Sequence, residues 1–519
     1  MKKQHIMVVI SLLVAYVAML ALLVYAESFS TASSITSMKD ALWYSLVTLT
    51  TVGYGDLSPV TALGKAIGSI FLLLSTSLLA MLVVLVMTFG QVWVRFRLGF
   101  LQGAQWFVFS SLNNETCALA QSIKAENPQA VLLFPKDDNK ELTAVVKKAG
   151  AMFVKGSVED ILALKNGGDL NLFFMDADGY SNYGNALSFC GKGWRVYCQS
   201  DFTAGTQPAD LTVFSMAENI SRLYWRTNPL PQTAKNVVII ADGDYTDTLL
   251  SQALQVNLYH PQQSVCYHIF ALDSGFMAMH PQIATMVSVN ETATDRDSLL
   301  FYHTSWENHI DVITQADRVI VSTSSDRENL KIYNSLSKYF VLNGDVHLRL
   351  SQPMPGTVSF GSHSSLYTPG VVMRTTLTKT AAAMHRIYLE STGATSPQWE
   401  ELSPFTRASN VSAADHLLTK IRILLEDDSI TDVNSATCMA AYEKYMQTKD
   451  QKADFYRHLE HERWMRFHAL YNWTYNPQRN NAHRQHPSMV PFENLDKDTQ
   501  KKDDYSWQLL QQLAGFLKD

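Results

Sequence analysis

Apolar residues fall along this chain in two regimes. The first hundred positions hold long, nearly unbroken apolar runs. Later positions hold apolar bursts of a few residues set between polar stretches of helical period. Ile6 to Ala26 is almost wholly apolar, and some 21 residues of helix reach about 31 Å, the depth of a hydrocarbon core. Leu63 to Trp93 is a second run, interrupted by Lys65. Between them Met38 to Thr50 (MKDALWYSLVTLT) is too short to span. It predicts a re-entrant half-helix, a form of backbone tolerated at membrane depth when protein surrounds it. From Ala104 the pattern predicts strands at Trp106–Ser110, Ala130–Phe134, Met152–Val154, Leu172–Met175 and Trp194–Cys198, with helices at Glu115–Lys124 and Glu141–Ala149. A second round opens at Asn236–Ile240 and continues through Tyr267–Phe270, Arg318–Val321 and Val346–Leu350. Strand alternating with helix predicts parallel, doubly wound α/β sheets. MDADGYSN (Met175 to Asn182) and STSSDREN (Ser322 to Asn329) take like places in the two rounds. Amphipathic helices are expected at Asn410–Glu426 and Ala453–Leu470.

The half-helix leads into Thr51-Val52-Gly53-Tyr54-Gly55-Asp56. A bare cation in a bilayer must exchange its hydration shell for other oxygens, and consecutive carbonyls can supply them where the backbone turns freely. Gly53 and Gly55 permit such turning. The Thr51 hydroxyl adds an oxygen, while Val52 and Tyr54 can wedge the loop against its support. The hexamer TVGYGD resembles the selectivity filter of potassium channels. That resemblance implies K⁺ as the permeant ion, coordinated at Thr51, Val52, Gly53 and Tyr54, with Asp56 at the external end. One chain supplies one wall, so the resemblance also implies a homotetramer. Inner helices of such channels often bend at a glycine. Here the corresponding zone reads Leu74-Ser75-Thr76-Ser77, and Ser75, Thr76 and Ser77 are the candidate gate, since hydroxyls let a helix bend by bonding to preceding carbonyls.

Charge orients the chain. Lys2 and Lys3 precede the first run and Arg95 and Arg97 follow the second, whereas Lys39 and Lys65 between them are offset by Glu27, Asp40 and Asp56. The excess of flanking cations predicts a multi-pass protein of the inner cell membrane, in contact with the lipid bilayer, with both termini cytoplasmic. The length of the first run and the lack of a small-residue cleavage pattern disfavour a signal peptide. No ladder of arginines of the voltage-sensor kind is present, which argues against voltage gating. With 519 residues and a net charge of −6 there is room for several domains and no footprint for nucleic acid. The five cysteines (Cys117, Cys190, Cys198, Cys266, Cys438) form no CxxC pair, so neither a disulfide framework nor a zinc ribbon is indicated.

The pore domain is expected at 1–97. Two tandem α/β lobes after it, at 104–230 and 235–375, resemble the RCK (TrkA-N-like) domains that regulate conductance in potassium channels. A dinucleotide site wants Gly-x-Gly-x-x-Gly after the first strand. Ser110-Ser111-Leu112-Asn113-Asn114-Glu115 carries no glycine, and Ala241-Asp242-Gly243-Asp244-Tyr245-Thr246 carries one between carboxylates. No bound nucleotide cofactor is expected in the Rossmann-like lobes, which read as scaffold. Asp242 and Asp244 read as a solvated acidic loop in preference to a cation site.

The last region, 385–519, changes character again. Glu462-Arg463-Trp464, NWTYNP (Asn472 to Pro477) and HPSMVPFENLDKDTQKKD (His486 to Asp503) resemble the RyR-type domain, a small helical module named after ryanodine receptors. Trp464, Trp473, Tyr475 and Arg479 are its candidate ligand residues, suited to a planar, anionic small molecule such as a nucleotide-derived messenger. His458, His461, His468, His483 and His486 lack metal-site spacing. The fold class is therefore an α-helical membrane pore followed by doubly wound lobes and a small, mostly helical C-terminal domain. The functional expectation is a potassium channel, not an enzyme, gated when the cytoplasmic region binds an intracellular ligand or partner. The competing reading is a membrane-anchored ligand sensor, a stress or antiviral effector, whose pore dissipates ion gradients.

Overall fold

The computed structural model describes residues 3–49, 52–70, 73, 105–154, 170–202, 207–271 and 273–517. It divides into two compact units, residues 1–103 and 104–519.

In the first unit α1 (Lys3–Glu27) packs against α2 (Met38–Leu49). Leu20, Leu23, Ala26, Ile35, Ala41 and Ile67 form its small core, and the Tyr16 hydroxyl meets the Ser45 hydroxyl at 2.6 Å to pin the two helices. A third helix covers residues 62–70, at the start of the second apolar run. Val14, Leu22, Tyr25, Leu42, Leu46, Leu63, Ile70 and Leu73 remain exposed on the isolated chain, more apolar surface than so small a unit leaves uncovered in water. Side chains of α1 are described from residue 14 onward. Among the described residues no helix is long and apolar enough to cross a membrane. Most of the expected span 63–93, the gate residues Ser75, Thr76 and Ser77, and Thr51 lie outside the described residues.

The second unit opens with a six-stranded parallel sheet of order β3-β2-β1-β4-β5-β6. Its strands are β1 (Trp106–Phe109), β2 (Val131–Pro135), β3 (Met152–Val154), β4 (Leu170–Phe174), β5 (Arg195–Gln199) and β6 (Leu211–Phe214). Helices α3 (Asn114–Glu126), α4 (Lys140–Lys148) and α5 (Gly179–Leu187) connect them, and α6 (Met216–Thr227) leads out. The central strands β1 and β4 are buried along their whole length, so both read as unbroken apolar runs. Rings of Phe109, Phe134, Phe173 and Tyr197 stack across the strands, with Phe109 and Phe134 centred 4.4 Å apart.

The second sheet has seven strands in the order β13-β12-β11-β7-β8-β10-β9. They are β7 (Asn236–Ala241), β8 (Cys266–Phe270), β9 (Ser288–Val289), β10 (Ser298–Tyr302), β11 (Arg318–Ser322), β12 (Asp345–Arg349) and β13 (Val358–Phe360), with α7 (Gly243–Val256) and α8 (Asp326–Tyr339) against it. The parallel lobes follow the sequence pattern. Strands β6, β9, β10 and β13 were not foreseen.

The two like-placed phrases do the same mechanical work. Asn182 is buried, accepts from the Asp176 amide (2.9 Å) and donates to the Asp176 and Gln199 carbonyls (2.8 and 2.9 Å). Asn329 is buried, accepts from the Thr323 amide (2.8 Å) and donates to the Thr323 and Arg349 carbonyls (3.3 and 2.8 Å). Each amide clasps the loop after one strand to the strand beside it, satisfying backbone groups that no ladder reaches.

The C-terminal region carries α9 (Thr375–Thr392), α10 (Pro404–Leu425) and α11 (Ser435–Leu470). Helix α10 begins six residues before its expected start at Asn410. Helix α11 is twice its expected length, with a kink at Lys452 just ahead of the predicted Ala453. The region is fastened to the lobes by buried charge. Arg222 grips Asp415 through two bonds (2.8 and 2.9 Å), and Arg466 meets Asp297 at 2.6 Å with both side chains fully enclosed. Inside the region Glu460 accepts from Lys420 (2.5 Å) and from Arg463 (2.8 Å).

Two outcomes follow. Asn329→Leu removes the partner of the Thr323 amide and a donor to the Arg349 carbonyl, and is expected to lower the unfolding free energy by about 1–3 kcal/mol in denaturant melts of the purified chain. An unchanged midpoint would remove the clasp's role. Separately, burial and the charge of Glu460 push the Asp503 carboxyl from 3.8 up to about 7, against the pull of Lys420 and Arg463. The folded chain then binds a proton that the unfolded chain releases, so this contribution is lost as pH rises from about 4 to about 7. Asp503→Asn should abolish that loss, so the variant's thermal midpoint should gain on the parent's between about pH 4 and pH 7, the range of the shift. A constant difference across that range would exclude Asp503 as the titrating group.

Candidate ion-conducting loop

Helix α2 ends in an apolar turn whose last carbonyls have no intrahelical partner. The Val47 carbonyl instead accepts from the amides of Val52 (3.1 Å) and Gly53 (3.3 Å), tucking the loop beneath the helix end. Gly53 and Gly55 both take left-handed backbone angles, with φ of 58° and 73°. A Cβ at either would meet nothing within 4 Å, so the requirement for glycine is one of backbone conformation and not of space. Side chains of L residues resist this region by roughly 1–2 kcal/mol each.

Trp43 holds the loop from the side. Its indole Nε1 donates to Asp56 Oδ2 at 2.8 Å, and its ring stacks on Tyr54 with centroids 6.1 Å apart and planes 3° from parallel. Helical geometry places Trp43 on the face of α2 that looks toward the returning loop. Val52 and Tyr54 remain exposed, Tyr54 at 68 %. The face that should brace the loop is thus unfilled within a single chain.

A second brace lies at the far end of α1. Glu27 is fully enclosed. Its carboxylate accepts from the amides of Val60 and Thr61 (both 3.0 Å), the Thr61 hydroxyl (2.8 Å) and the Ser33 hydroxyl (2.6 Å). It ties the end of α1 to the turn that starts the helix of residues 62–70. Gly64 is small for this reason: a Cβ there would sit 1.9 Å from Glu27 Oε1 and 2.7 Å from Thr61 Oγ1. Neither Trp43 nor Glu27 stood out in the sequence. Trp43 sat within the apolar period of its helix, and Glu27 counted as one acid among several in a loop.

The residues singled out in the C-terminal region take different positions. Trp473 is buried and stacks on Phe405 at 5.1 Å. Trp464 packs on His468 at 3.9 Å and on His486 at 5.0 Å, and both tryptophans belong to or abut the main core. Tyr475 and Arg479 are exposed, with Arg479 Nε donating to Asn481. Among the described residues no group of three or more acids, histidines or cysteines could hold a metal ion. Asp242 caps toward the neighbouring strand loop, accepting from the Ser324 amide. In the first lobe Asn113 accepts from the Thr116 amide at 2.8 Å. The first-lobe turn is thus capped by its own side chain, whereas Asp242 makes no cap bond to the helix it precedes.

Residues 7–92 match a family described as ion channels. Over 84 residues the chain is 40 % identical to the A-type voltage-gated potassium channel KCND3 of Rattus norvegicus and to that of Homo sapiens. The match covers 16 % of this chain and 13 % of each relative, so the chain spans a small part of the curated relatives it matches. Among solved structures the chain is similar to the GsuK channel at 15 % identity and a TM-score of 0.36, covering 70 % of this chain and 96 % of that one. It is similar also to GsuK bound to ADP (16 % identity, TM-score 0.33, covering 70 % of this chain and 96 % of that one). These structural likenesses are too weak to carry a functional conclusion.

Gly64→Ala is expected to destabilise the N-terminal unit by about 1–3 kcal/mol through overpacking against Glu27, read as a lower thermal midpoint of the detergent-purified protein. An unshifted midpoint would show that the Glu27 brace yields freely. The braced glycine loop between two helices thus lies within the residues, 7–92, that match the ion channel family and that resemble a stretch of the KCND3 potassium channels.

Proposed function

We propose that the protein is a potassium-selective channel whose conductance is governed by its second unit. The observation that carries this is the loop after α2, with its two glycines in left-handed conformations. It would turn successive carbonyls toward one axis, replacing the hydration shell of K⁺. Thr51, Val52, Gly53 and Tyr54 are the proposed coordinating positions, and Asp56, held by Trp43, closes the outer end. The exposed faces of Val52 and Tyr54 and the apolar surface of the first unit favour four copies around an axis within a lipid bilayer, at the inner cell membrane with both termini in the cytoplasm.

In this reading the doubly wound lobes act as RCK-like scaffold and the helical region acts as an RyR-type module. A ligand that binds one arrangement of these parts more tightly shifts the pore's equilibrium by that difference in affinity.

The filter is tested in liposomes holding the purified protein. K⁺ flux should exceed Na⁺ flux by a wide margin. Gly53→Ala and Tyr54→Ala should each abolish flux or level the two ions. Preserved selectivity in both variants would overturn the assignment.

A further inference from the structure

A partly open space in the second unit lies where the first lobe, the second lobe and the C-terminal helices meet. It measures about 830 Å³, within the range of small-molecule sites. Arg222, Arg374, Arg407 and Arg484 all line it. Arg222 is buried, Arg374 and Arg407 are half-buried and Arg484 is exposed, and a guanidinium stripped of water is costly unless it is neutralised.

Five carboxylates (Asp201, Glu218, Asp247, Glu400 and Asp415) line the same space, yet three guanidinium nitrogens remain unpartnered. Arg222 is 4 % exposed and its Nε and Nη2 are spent on Asp415 and the Leu377 carbonyl. Its Nη1 has no hydrogen-bond partner, the nearest carboxylate oxygen being that of Glu218 at 4.0 Å. Arg374 gives one nitrogen to Glu218 (2.8 Å), and its buried Nε is unpartnered. Arg407 donates to backbone carbonyls of the turn at Trp399, Glu400 and Leu402, and its buried Nε too is unpartnered. Burial lowers the Arg407 guanidinium below its ordinary value, opposed by Glu400 and reinforced by the like charge of Arg374. Of the acids lining the cavity, Glu218 and Asp415 are taken up by these arginines. Asp247 accepts from Ser274 at 2.7 Å, and Asp201 and Glu400 are exposed to solvent.

Backbone charge adds to the side chains. The N-terminal turns of three long helices reach the cavity: α6 through Ser215 and Glu218, α9 through Arg374 and Thr378, and α10 through Pro404 and Arg407. Each such end carries roughly half a positive charge on amides that point outward. Ser215 and Ser403 cap α6 and α10. The cap position of α9 is Arg374 itself, in a left-handed conformation (φ 57°) and supplying no side-chain acceptor. A tetrahedral anion satisfies such an arrangement, since its oxygens can accept from both guanidinium and amide donors. Trp399, with Arg407 over its ring at 5.8 Å, offers a flat face beside the anion position.

We propose that this three-way junction binds a phosphate- or pyrophosphate-bearing small molecule of up to nucleotide size, and that this is the ligand through which the second unit acts on the pore. The inference rests on the channel reading for its consequence and on the cavity alone for its existence. Occupancy would tie α6, α9 and α10 together across the lobes and the helical region.

The test is titration calorimetry on the full chain in detergent, with inorganic pyrophosphate, ATP and adenosine as probes. Pyrophosphate and ATP should bind and compete, and adenosine should not bind. Arg407→Gln should weaken both at least about tenfold, the loss of one charge-assisted contact, while Arg407→Lys retains most of the affinity. Ser251→Glu, which adds a carboxylate to the cavity wall without touching the arginines, should abolish binding even where Arg407→Gln folds poorly. Binding of neither anion, or ATP affinity unchanged in both Arg407→Gln and Ser251→Glu, would overturn the proposal. Binding of pyrophosphate without ATP would overturn the nucleotide-size assignment. The channel reading fails separately: a protein that binds ATP but shows no K⁺ selectivity keeps this site and loses the filter, and a selective channel that binds neither anion does the reverse.

Discussion

Two glycines in left-handed conformations are the constraint on which the first unit depends. An ion can leave water only for a surface that returns the same oxygens, and a chain of L residues turns its carbonyls to one side only where φ may become positive. The rest of the unit reads as support for that strained path. The Val47 carbonyl anchors the loop's beginning, Trp43 anchors its end through Asp56 and Tyr54, and Glu27 fixes the ends of the flanking helices by capping the amides of Val60 and Thr61. Gly64 follows from Glu27, as there is no room for a methyl beside that carboxylate. A glycine chosen for space and two chosen for backbone freedom look identical in a sequence, and their surroundings alone separate them.

The second unit uses a different currency. Its sheets are held by apolar strands buried on both faces, but its parts are joined by buried ions: Arg222 with Asp415, Arg466 with Asp297, and Lys420 and Arg463 with Glu460. Such pairs contribute little net stability, because desolvation offsets their attraction, yet they tolerate few alternative arrangements once formed. A junction built this way has a defined geometry.

What the sequence revealed tracks how local each signal is. The parallel lobes were legible because unbroken apolar strands such as WFVF at Trp106 and NVVII at Asn236 belong to sheets covered on both sides. The paired phrases ending in Asn182 and Asn329 were visible as a repeat, although their shared task of clasping a loop to the next strand needed coordinates. Strands β6, β10 and β13 were missed for physical reasons. LTVF and SLLFY are only partly buried, and VSF has three residues at the sheet's edge, so tertiary pairing and not local pattern makes them strands. Glu27 was illegible because its partners lie over 30 residues away. Trp464 and Trp473 drew attention as aromatic residues in a polar stretch, and their neighbours place them in or against the core.

The lobes and the junction share one physical theme, the electrostatics of helix N-termini. In a nucleotide-binding lobe the first helix leaves its amides free for phosphate. Here Asn113 takes an amide of α3 in the first lobe, and Asp242, at the head of α7 in the second, is turned onto the Ser324 amide. The first of these ends is capped by the chain itself, and the second places a carboxylate where a phosphate would lie. At the head of α9 the cap residue is an arginine that supplies no acceptor, and it faces a cavity shared with two further helix starts and two guanidinium groups bearing unpartnered nitrogens. The proposed anion site therefore differs in place from the one this fold ordinarily offers: it spans elements of both lobes and the helical region, so a ligand there would act on how those parts fit together and not on one lobe alone.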